Sequence, residues 1–184
     1  MKKVIAFVLA TVLVLLSVSA LAVSGPAKYE LYPFKFEHHK YGIGLGNCPV
    51  YSAPYSDAYR ANNGKASCAT NSYVDIGGYE NGWLFVRYET NNGSWRVGWI
   101  PPKYVHDVKT PMTPHFQHIR QVANDWIDVS DNNLSYYDRG SIFATLRPGD
   151  VYYVLAYYDY YDYNQYYIEF DWNGQTARGF IPMD

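Results

Sequence analysis

Clusters of apolar and aromatic positions predict β-strands along the chain. Residues 83–89 (WLFVRYE) and 166–172 (YYIEFDW) are rich in aromatic and β-branched side chains, which suit a pleated, half-buried surface. An Asn-Gly pair follows each of them, within TNNGS (90–94) and WNGQ (172–175). Asn-Gly between two strands is the strongest short signal for a β-hairpin. These segments predict an all-β protein.

Other parts of the pattern indicate turns and one weak helix. IGGYENG (76–82) and RPGD (147–150) contain the glycine, proline and asparagine typical of turns. The only helical periodicity lies in FQHIRQVAND (116–125). In the N-terminal part, Tyr32, Phe34 and Phe36 alternate with other residues, which is typical of an added strand.

The pattern of apolar positions is written twice. Residues 46–79 align with 124–157 at an offset of 78, residues 85–89 align with 167–171 at an offset of 82, and GWIP (98–101) aligns with GFIP (179–182) at an offset of 81. Such internal repetition indicates one structural unit present in two copies. Copies of about 60 residues with short strands and tight turns favour a small barrel over a sandwich.

The repeat divides the chain into five predicted parts. VHDVKTPMTPHFQ (105–117) has two prolines and no apolar period, so it is predicted to contain a semi-rigid linker. The predicted boundaries are 1–22 for a signal peptide, 23–42 for an N-terminal tail, 43–105 for the first barrel, 106–116 for the linker and 117–184 for the second barrel.

The first residues predict export. Lys2 and Lys3 precede an apolar run that ends in an A-x-A site at residues 20–22, which is the pattern of a secretory signal cleaved after Ala22. An uncleaved membrane anchor is the alternative. No second apolar stretch approaches the roughly 20 residues that a spanning helix needs. The sequence therefore predicts a secreted or cell-envelope protein with no membrane span after cleavage.

Charge argues against a nucleic-acid partner. The formal net charge is −2, and no basic stripe is present along the sequence. Binding to phosphate backbones requires clustered Lys and Arg. Nucleic acid is therefore not an expected partner.

The two cysteines are predicted to be bonded, since exported chains usually pair their cysteines. A bridge between Cys48 and Cys68 would close a loop of about 20 residues, worth roughly 3 kcal/mol in the chain-entropy model. In the repeat alignment Cys48 lies opposite Trp126 and Cys68 opposite Leu146, so both are expected to point inward. The alternative is a pair of buried free thiols.

Three segments resemble bacterial SH3-type (SH3b) domains. GWIPPKYV (98–105) is similar to the closing strand and proline-containing turn of that family, NGWLFVRYE (81–89) to its middle strands and CPVYSAP (48–54) to its opening strand. The resemblance covers 43–105 well and 117–184 more loosely. It implies two tandem SH3-like β-barrels joined by a Pro-containing linker.

The resemblance also implies function. Exported domains of this family are usually non-catalytic modules that bind peptidoglycan, other glycans or peptide segments, and their groove is aromatic. Carried over by position, the candidate groove residues are Tyr51, Tyr55, Trp83, Trp99, Pro101 and Tyr104. Flat rings give large contact area with few rotors to order, which suits stacking on sugars or on proline-rich peptides. The alternative is that these residues only complete the barrel wall.

The second copy departs from the family pattern. Gln165 stands where the first copy has Trp83, so a groove there is doubtful. It carries instead the run YYDYYDYNQYY (157–167), in which Tyr157, Tyr158, Tyr160 and Tyr161 are candidates for an exposed binding loop. An interface between the two barrels is the equally supported alternative.

Catalytic and metal sites are not predicted. His38 and His39 beside Glu37 cannot readily converge on one ion, and no further ligand is suitably spaced. The histidines near the linker have no recognisable nucleophile partner. No cofactor is expected.

The leading hypothesis is an exported non-enzymatic protein that binds peptidoglycan or another envelope glycan. The alternative partner is an envelope protein or peptide, and a small hydrolase is a third hypothesis.

Overall fold

The computed structural model describes residue 31 and residues 33–34, 36–39, 48–68, 74–90, 93–104, 116–131, 141–160 and 163–183. The strands in chain order are β1 (Pro33–Phe34), β2 (Glu37–His39), β3 (Cys48–Pro49), β4 (Ser67–Cys68), β5 (Val74–Glu80), β6 (Trp83–Glu89), β7 (Trp95–Ile100), β8 (Ile119–Val122), β9 (Ile127–Ser130), β10 (Ile142–Leu146), β11 (Val151–Tyr160), β12 (Tyr163–Trp172) and β13 (Gln175–Pro182). Two short helical turns lie at Ala61–Gly64 and Pro102–Tyr104. The predicted all-β class is confirmed.

The strands form two main sheets that follow the two halves of the chain. One sheet has the order β2-β5-β6-β7, with β3 and β4 as a separate pair. The other has the order β1-β11-β12-β13-β9-β10, with β8 also paired to β11. In the described part of the chain neither sheet closes on itself. The N-terminal segment contributes strands to both sheets, as its alternating pattern indicated, because β1 pairs with β11 and β2 pairs with β5.

The strand ladders repeat at the offsets of the sequence alignment. Ile76 pairs with Val86, and at offsets of 78 and 82 Val154 pairs with Ile168. The same bulge interrupts β5 after Ile76 and β11 after Val154. The aligned ladders therefore share both register and irregularity.

Two aligned glycines occupy the same tight environment. A Cβ on Gly98 would contact Val50 and lie 2.9 Å from the carbonyl oxygen of Tyr51, and a Cβ on Gly179 would contact Val129 and lie 2.8 Å from that of Ser130. Neither site has room for a side chain. This close backbone approach explains why the glycine recurs in GWIP and GFIP.

The opening strand corrects the alignment by one residue. Cys48 pairs with Cys68 in β3 and β4, and the matching pair in β9 and β10 is Ile127 with Leu146. Cys48 therefore corresponds to Ile127 and not to Trp126, which is 64% exposed. A shift of one residue along a strand moves the side chain to the opposite face of the sheet. The sequence alignment therefore assigned the inward position to Trp126, whereas Ile127 occupies it.

Three apolar clusters fill the interior. One belongs to the first half and includes Val74 and Val86, and a second belongs mainly to the second half and includes Val154 and Ile168. The third is shared by both halves. It consists of buried, mostly aromatic side chains: Trp83, Phe85, Trp99, Leu155, Ala156, Tyr158, Tyr167 and Phe180. The two sheets are therefore packed together by an aromatic layer.

Some predictions are wrong or lie outside the described residues. The helical pattern at 116–125 is wrong, because Ile119–Val122 is a strand paired with Val151–Val154. IGGYENG is a turn only at Asn81 and Gly82, and its first part belongs to β5. The signal peptide and residues 105–115 of the linker lie outside the described residues. Within the described ranges, no helix is long and apolar enough to cross a membrane.

The structure has no disulfide between Cys48 and Cys68, the predicted partners. The two residues are direct cross-strand neighbours, and both are buried. They pack in the apolar cluster of the first half, where a thiol acts as a small hydrophobic side chain. Burial, followed by the neighbouring Cys68, raises the pKa of Cys48 to about 12.

Thiol reactivity tests this arrangement. Because the thiolate is the reactive form and both thiols are buried, iodoacetamide at pH 8 should leave the native protein unmodified. After unfolding in urea without reductant, two alkyl groups should be added per chain, as measured by intact mass. An unfolded chain that accepts alkyl groups only after reduction would show that a disulfide exists.

Candidate binding cleft

The structure brings part of the predicted groove together. Tyr51 contacts Trp83 edge-to-face, with ring centroids 5.3 Å apart. Tyr51 and Trp99 also exchange backbone hydrogen bonds of 3.0 and 2.7 Å. At the closing turn, Pro101 is buried and accepts a hydrogen bond from the backbone of half-buried Tyr104.

The two tryptophans of this group lie in the interior. Trp83 is 9% exposed and Trp99 is fully buried in the shared aromatic cluster. The indole Nε1 of Trp99 donates a 2.9 Å hydrogen bond to the hydroxyl of Tyr167, across the two halves. A ligand has no access to Trp99 in this packing, so its role is to join the halves.

The tyrosine run of the second half is divided between packing and edge pairing. Tyr158 is 3% exposed within the shared cluster, which places it in the interface between the two halves. Tyr157 is half-buried against the second-half core, and its backbone pairs with Pro33 of β1. Tyr160 belongs to β11 by its backbone, and Tyr161 lies outside the described residues.

Tyr55 lies over a buried ion-pair network. The side chain of Arg178 in β13 has no exposed surface, and its guanidinium bonds Glu80 at 2.7 Å and Glu169 at 2.8 Å. Its carbon is 5.8 Å from the centre of the Tyr55 ring. Burial opposes the charge of Arg178, but Tyr167, Glu80 and Glu169 hold its pKa above the ordinary value. Burial is also the main reason why the pKa of Tyr55 is raised.

An open cleft of about 490 Å³ lies along the segment between β3 and β4. It combines aromatic rings with polar groups that are mostly exposed. Its main lining side chains are Tyr51, Asp57, Tyr59, Arg60, Asn63 and Gln175. Rings beside amide, carboxylate and guanidinium groups can stack on a sugar face and hydrogen-bond its hydroxyls.

Both halves of the chain shape the cleft. The backbone of Tyr59 donates a 2.9 Å hydrogen bond to Thr176, and Gln175 donates from its side chain to the carbonyl of Asp57 at 3.2 Å. The ring of Tyr59 stacks on Phe143 with centroids 5.3 Å apart and an angle of 11°. The β12–β13 hairpin and β10 of the second half therefore hold in place the part of the cleft wall that contains Asp57 and Tyr59.

One wall of the cleft is a left-handed turn. Asn62, Asn63 and Gly64 have φ values of 55°, 52° and 76°. This backbone conformation costs ordinary residues about 1–2 kcal/mol each, and only glycine and, less readily, asparagine adopt it routinely. Backbone strain of this kind is concentrated at functional sites. The turn projects Asn63 into the cleft lining.

Arg60 lies at the inner side of the cleft. Its guanidinium carbon is 5.0 Å from the centre of the Tyr51 ring, and Nη2 donates a 2.7 Å hydrogen bond to the carbonyl of Ala66. Its Nε is buried and has no hydrogen-bond partner in the described part of the chain. Arg60 is thus a cleft-lining cation whose side-chain hydrogen bond within the described residues goes to a neutral carbonyl.

Most cleft residues were not predicted from the sequence. Tyr51 was a candidate, but Asp57, Arg60, Asn63 and Gln175 were not. The Asn-Asn-Gly triplet was the available signal, because consecutive residues that tolerate positive φ indicate an unusual turn. Gln175 gave no signal, since its position at the cleft depends on the packing of the two halves.

No family model, curated protein or solved structure matches this chain. The described ranges contain no group of three or more His, Cys, Asp or Glu side chains that could hold a metal ion.

The buried network can be tested by removing its cation. Arg178→Leu would leave Glu80 and Glu169 without their partner, and we expect the free energy of unfolding to fall by about 3–5 kcal/mol. Urea denaturation followed by tryptophan fluorescence gives this value. Arg120→Leu, at an exposed position, is the matched control and should change stability little. Equal effects of the two substitutions would contradict the importance of the network.

The left-handed turn gives a second stability test. Asn63→Ala should lower the free energy of unfolding by about 1 kcal/mol, because alanine adopts positive φ less readily than asparagine. Asn63→Gly relieves that strain and should be neutral or slightly stabilising. Urea denaturation of both variants measures the difference, with Lys65→Ala in the same segment as the control. An alanine variant as stable as the glycine variant would show that residue 63 is not left-handed in solution.

Proposed function

We propose that this chain is an exported, non-catalytic binding protein of the cell envelope or the extracellular space, which recognises peptidoglycan or another envelope glycan. The observation that carries the proposal is the open cleft in which Tyr51 and Tyr59 stand beside the polar side chains of Asp57, Asn63 and Gln175. Sugars present an apolar ring face edged with hydroxyls, and this combination matches both. The cleft is therefore the proposed glycan site.

We further propose that the chain is built from two tandem SH3-like barrels. The matching ladders of β5–β7 and β11–β13, with the same bulge in each half, support this assignment. So does the turn at Pro102–Tyr104 after β7, where the resemblance to the SH3 family expects one. The binding surface shifts from the aromatic groove that the resemblance implies to the neighbouring cleft, because Trp83 and Trp99 are covered by the second half.

A protein partner is the second candidate function. Several apolar side chains of the second half are exposed, among them Trp126 at 64% and the directly paired Val122 and Val151. The guanidinium of Arg147 lies 6.0 Å from the Trp126 ring. Exposed tryptophan beside arginine is typical of protein-binding surfaces. This surface is separate in sequence from the cleft-lining segment, so the two functions can be distinguished by substitution.

Co-sedimentation with purified cell walls tests the glycan proposal. Walls treated with protease carry no folded protein partner, and the exported protein should still sediment with them. Asn63→Gly removes one amide without straining the backbone and should weaken binding about threefold to tenfold, the value of one hydrogen bond.

Trp126→Ala is the matched control and should bind these walls like the wild type. Retention of all the wild-type protein in the supernatant would contradict the glycan proposal. Binding that requires untreated walls and Trp126 would favour the protein partner instead.

A further inference from the structure

Arg60 differs from the other inward arginines of the described chain in having no carboxylate partner. Arg87 is paired with Asp75, Arg96 with Asp131 at 2.9 Å, and Arg178 with Glu80 and Glu169. Arg60 is half-buried to a similar degree as the first two. Among the described residues, its only side-chain hydrogen bond goes to the neutral carbonyl of Ala66.

An inward guanidinium without a counter-ion is unfavourable. Removing a charge from water is costly unless an opposite charge or a full set of hydrogen bonds replaces the lost hydration. At Arg60 the Nε donor is shielded from water and unsatisfied. An unsatisfied buried donor adds a desolvation cost that no hydrogen bond offsets. The side chain is nevertheless held in place by Ala66 and by the ring of Tyr51.

The cleft lining carries little charge besides that of Arg60. The other charged residue that lines the cleft is Asp57, which is exposed and therefore screened by water and salt. Arginine binds carboxylates through parallel N–H donors, and such bonds are about twice as strong as neutral ones. Because the chain as a whole is negative, long-range attraction does not bring an anion to the cleft. Selection of an anion therefore depends on contact with Arg60 itself.

We infer that the cleft binds a glycan unit that carries a free carboxylate, as in a uronic acid or a muramic acid whose lactyl group bears no peptide, with Arg60 as the counter-ion. This inference rests on the proposed glycan-binding function and specifies its ligand class. Tyr51 and Tyr59 stack on the sugar, Asp57 and Asn63 bond its hydroxyls, and the guanidinium of Arg60 receives the carboxylate. Neutral glycans of the same ring structure bind more weakly, because they leave the cation without a partner.

Matched sugars test the inference on the unaltered protein. Isothermal titration compares three probes: the disaccharide of N-acetylglucosamine and N-acetylmuramic acid with a free lactyl carboxylate, its methyl ester, and N,N′-diacetylchitobiose. We expect the free acid to bind about tenfold or more tightly than the ester, the effect of one charged hydrogen-bonded contact. Chitobiose should behave like the ester.

Substitution assigns the preference to one residue. Arg60→Gln should abolish the difference in affinity between the free acid and the ester. Lys65→Gln removes a positive charge from an exposed neighbour that does not line the cleft, and it should keep the preference. Thermal unfolding of both variants verifies that they are folded.

The outcomes separate the inference from the proposed function. Equal affinity for acid and ester overturns the carboxylate inference and leaves glycan binding in place. A preference that survives in a folded Arg60→Gln variant overturns the role of Arg60. Failure of all three sugars, together with failure to bind protease-treated walls, overturns both proposals.

Discussion

The buried ion pair between Arg178 and Glu80 joins the two halves of this protein. Arg178 belongs to β13 and Glu80 ends β5, so the 2.7 Å contact connects the two main sheets. The cross-strand neighbour Glu169 accepts a second hydrogen bond, and the rings of Trp99 and Phe116 lie over the guanidinium. Since an unpaired charge in this interior is strongly unfavourable, the sheets are stable together in the one arrangement that completes the network.

This junction also makes the two halves structurally different. In the matching ladder of the first half, the position of Arg178 is taken by Val97. The junction is therefore present once, and it breaks the symmetry of the repeat. The second half covers Trp83 and Trp99, and its β12–β13 hairpin lies against the segment that follows Tyr51. The same packing that closes the aromatic groove creates the wall of the cleft.

The cleft combines features that stability alone would not favour. The turn at Asn62–Gly64 keeps three consecutive residues at positive φ, and Arg60 keeps a cation without a counter-ion. Both lie in one short segment that is anchored at its ends by Val50 and Ala66 and in its middle by Thr176. A strained turn within a segment held by backbone hydrogen bonds is expected of a preorganised binding surface, in which the binding groups are in position before the ligand arrives.

The sequence determined the strands, the Asn-Gly hairpins and the repeat, because these depend on local propensity and on short-range turn geometry. It also placed Tyr51 beside Trp83 through the family resemblance. It failed where adjacent residues compete for one position: Trp126 and Ile127 are both apolar, and the strand pairing alone decided which of them points inward. The pairing of Arg178 with Glu80, the burial of Trp99 and Tyr158, and the approach of Gln175 to Asp57 join residues far apart in the chain. Such contacts are decided only in the tertiary structure. They arise when the two sheets pack together, and the hydrophobic pattern of each sheet by itself does not require them.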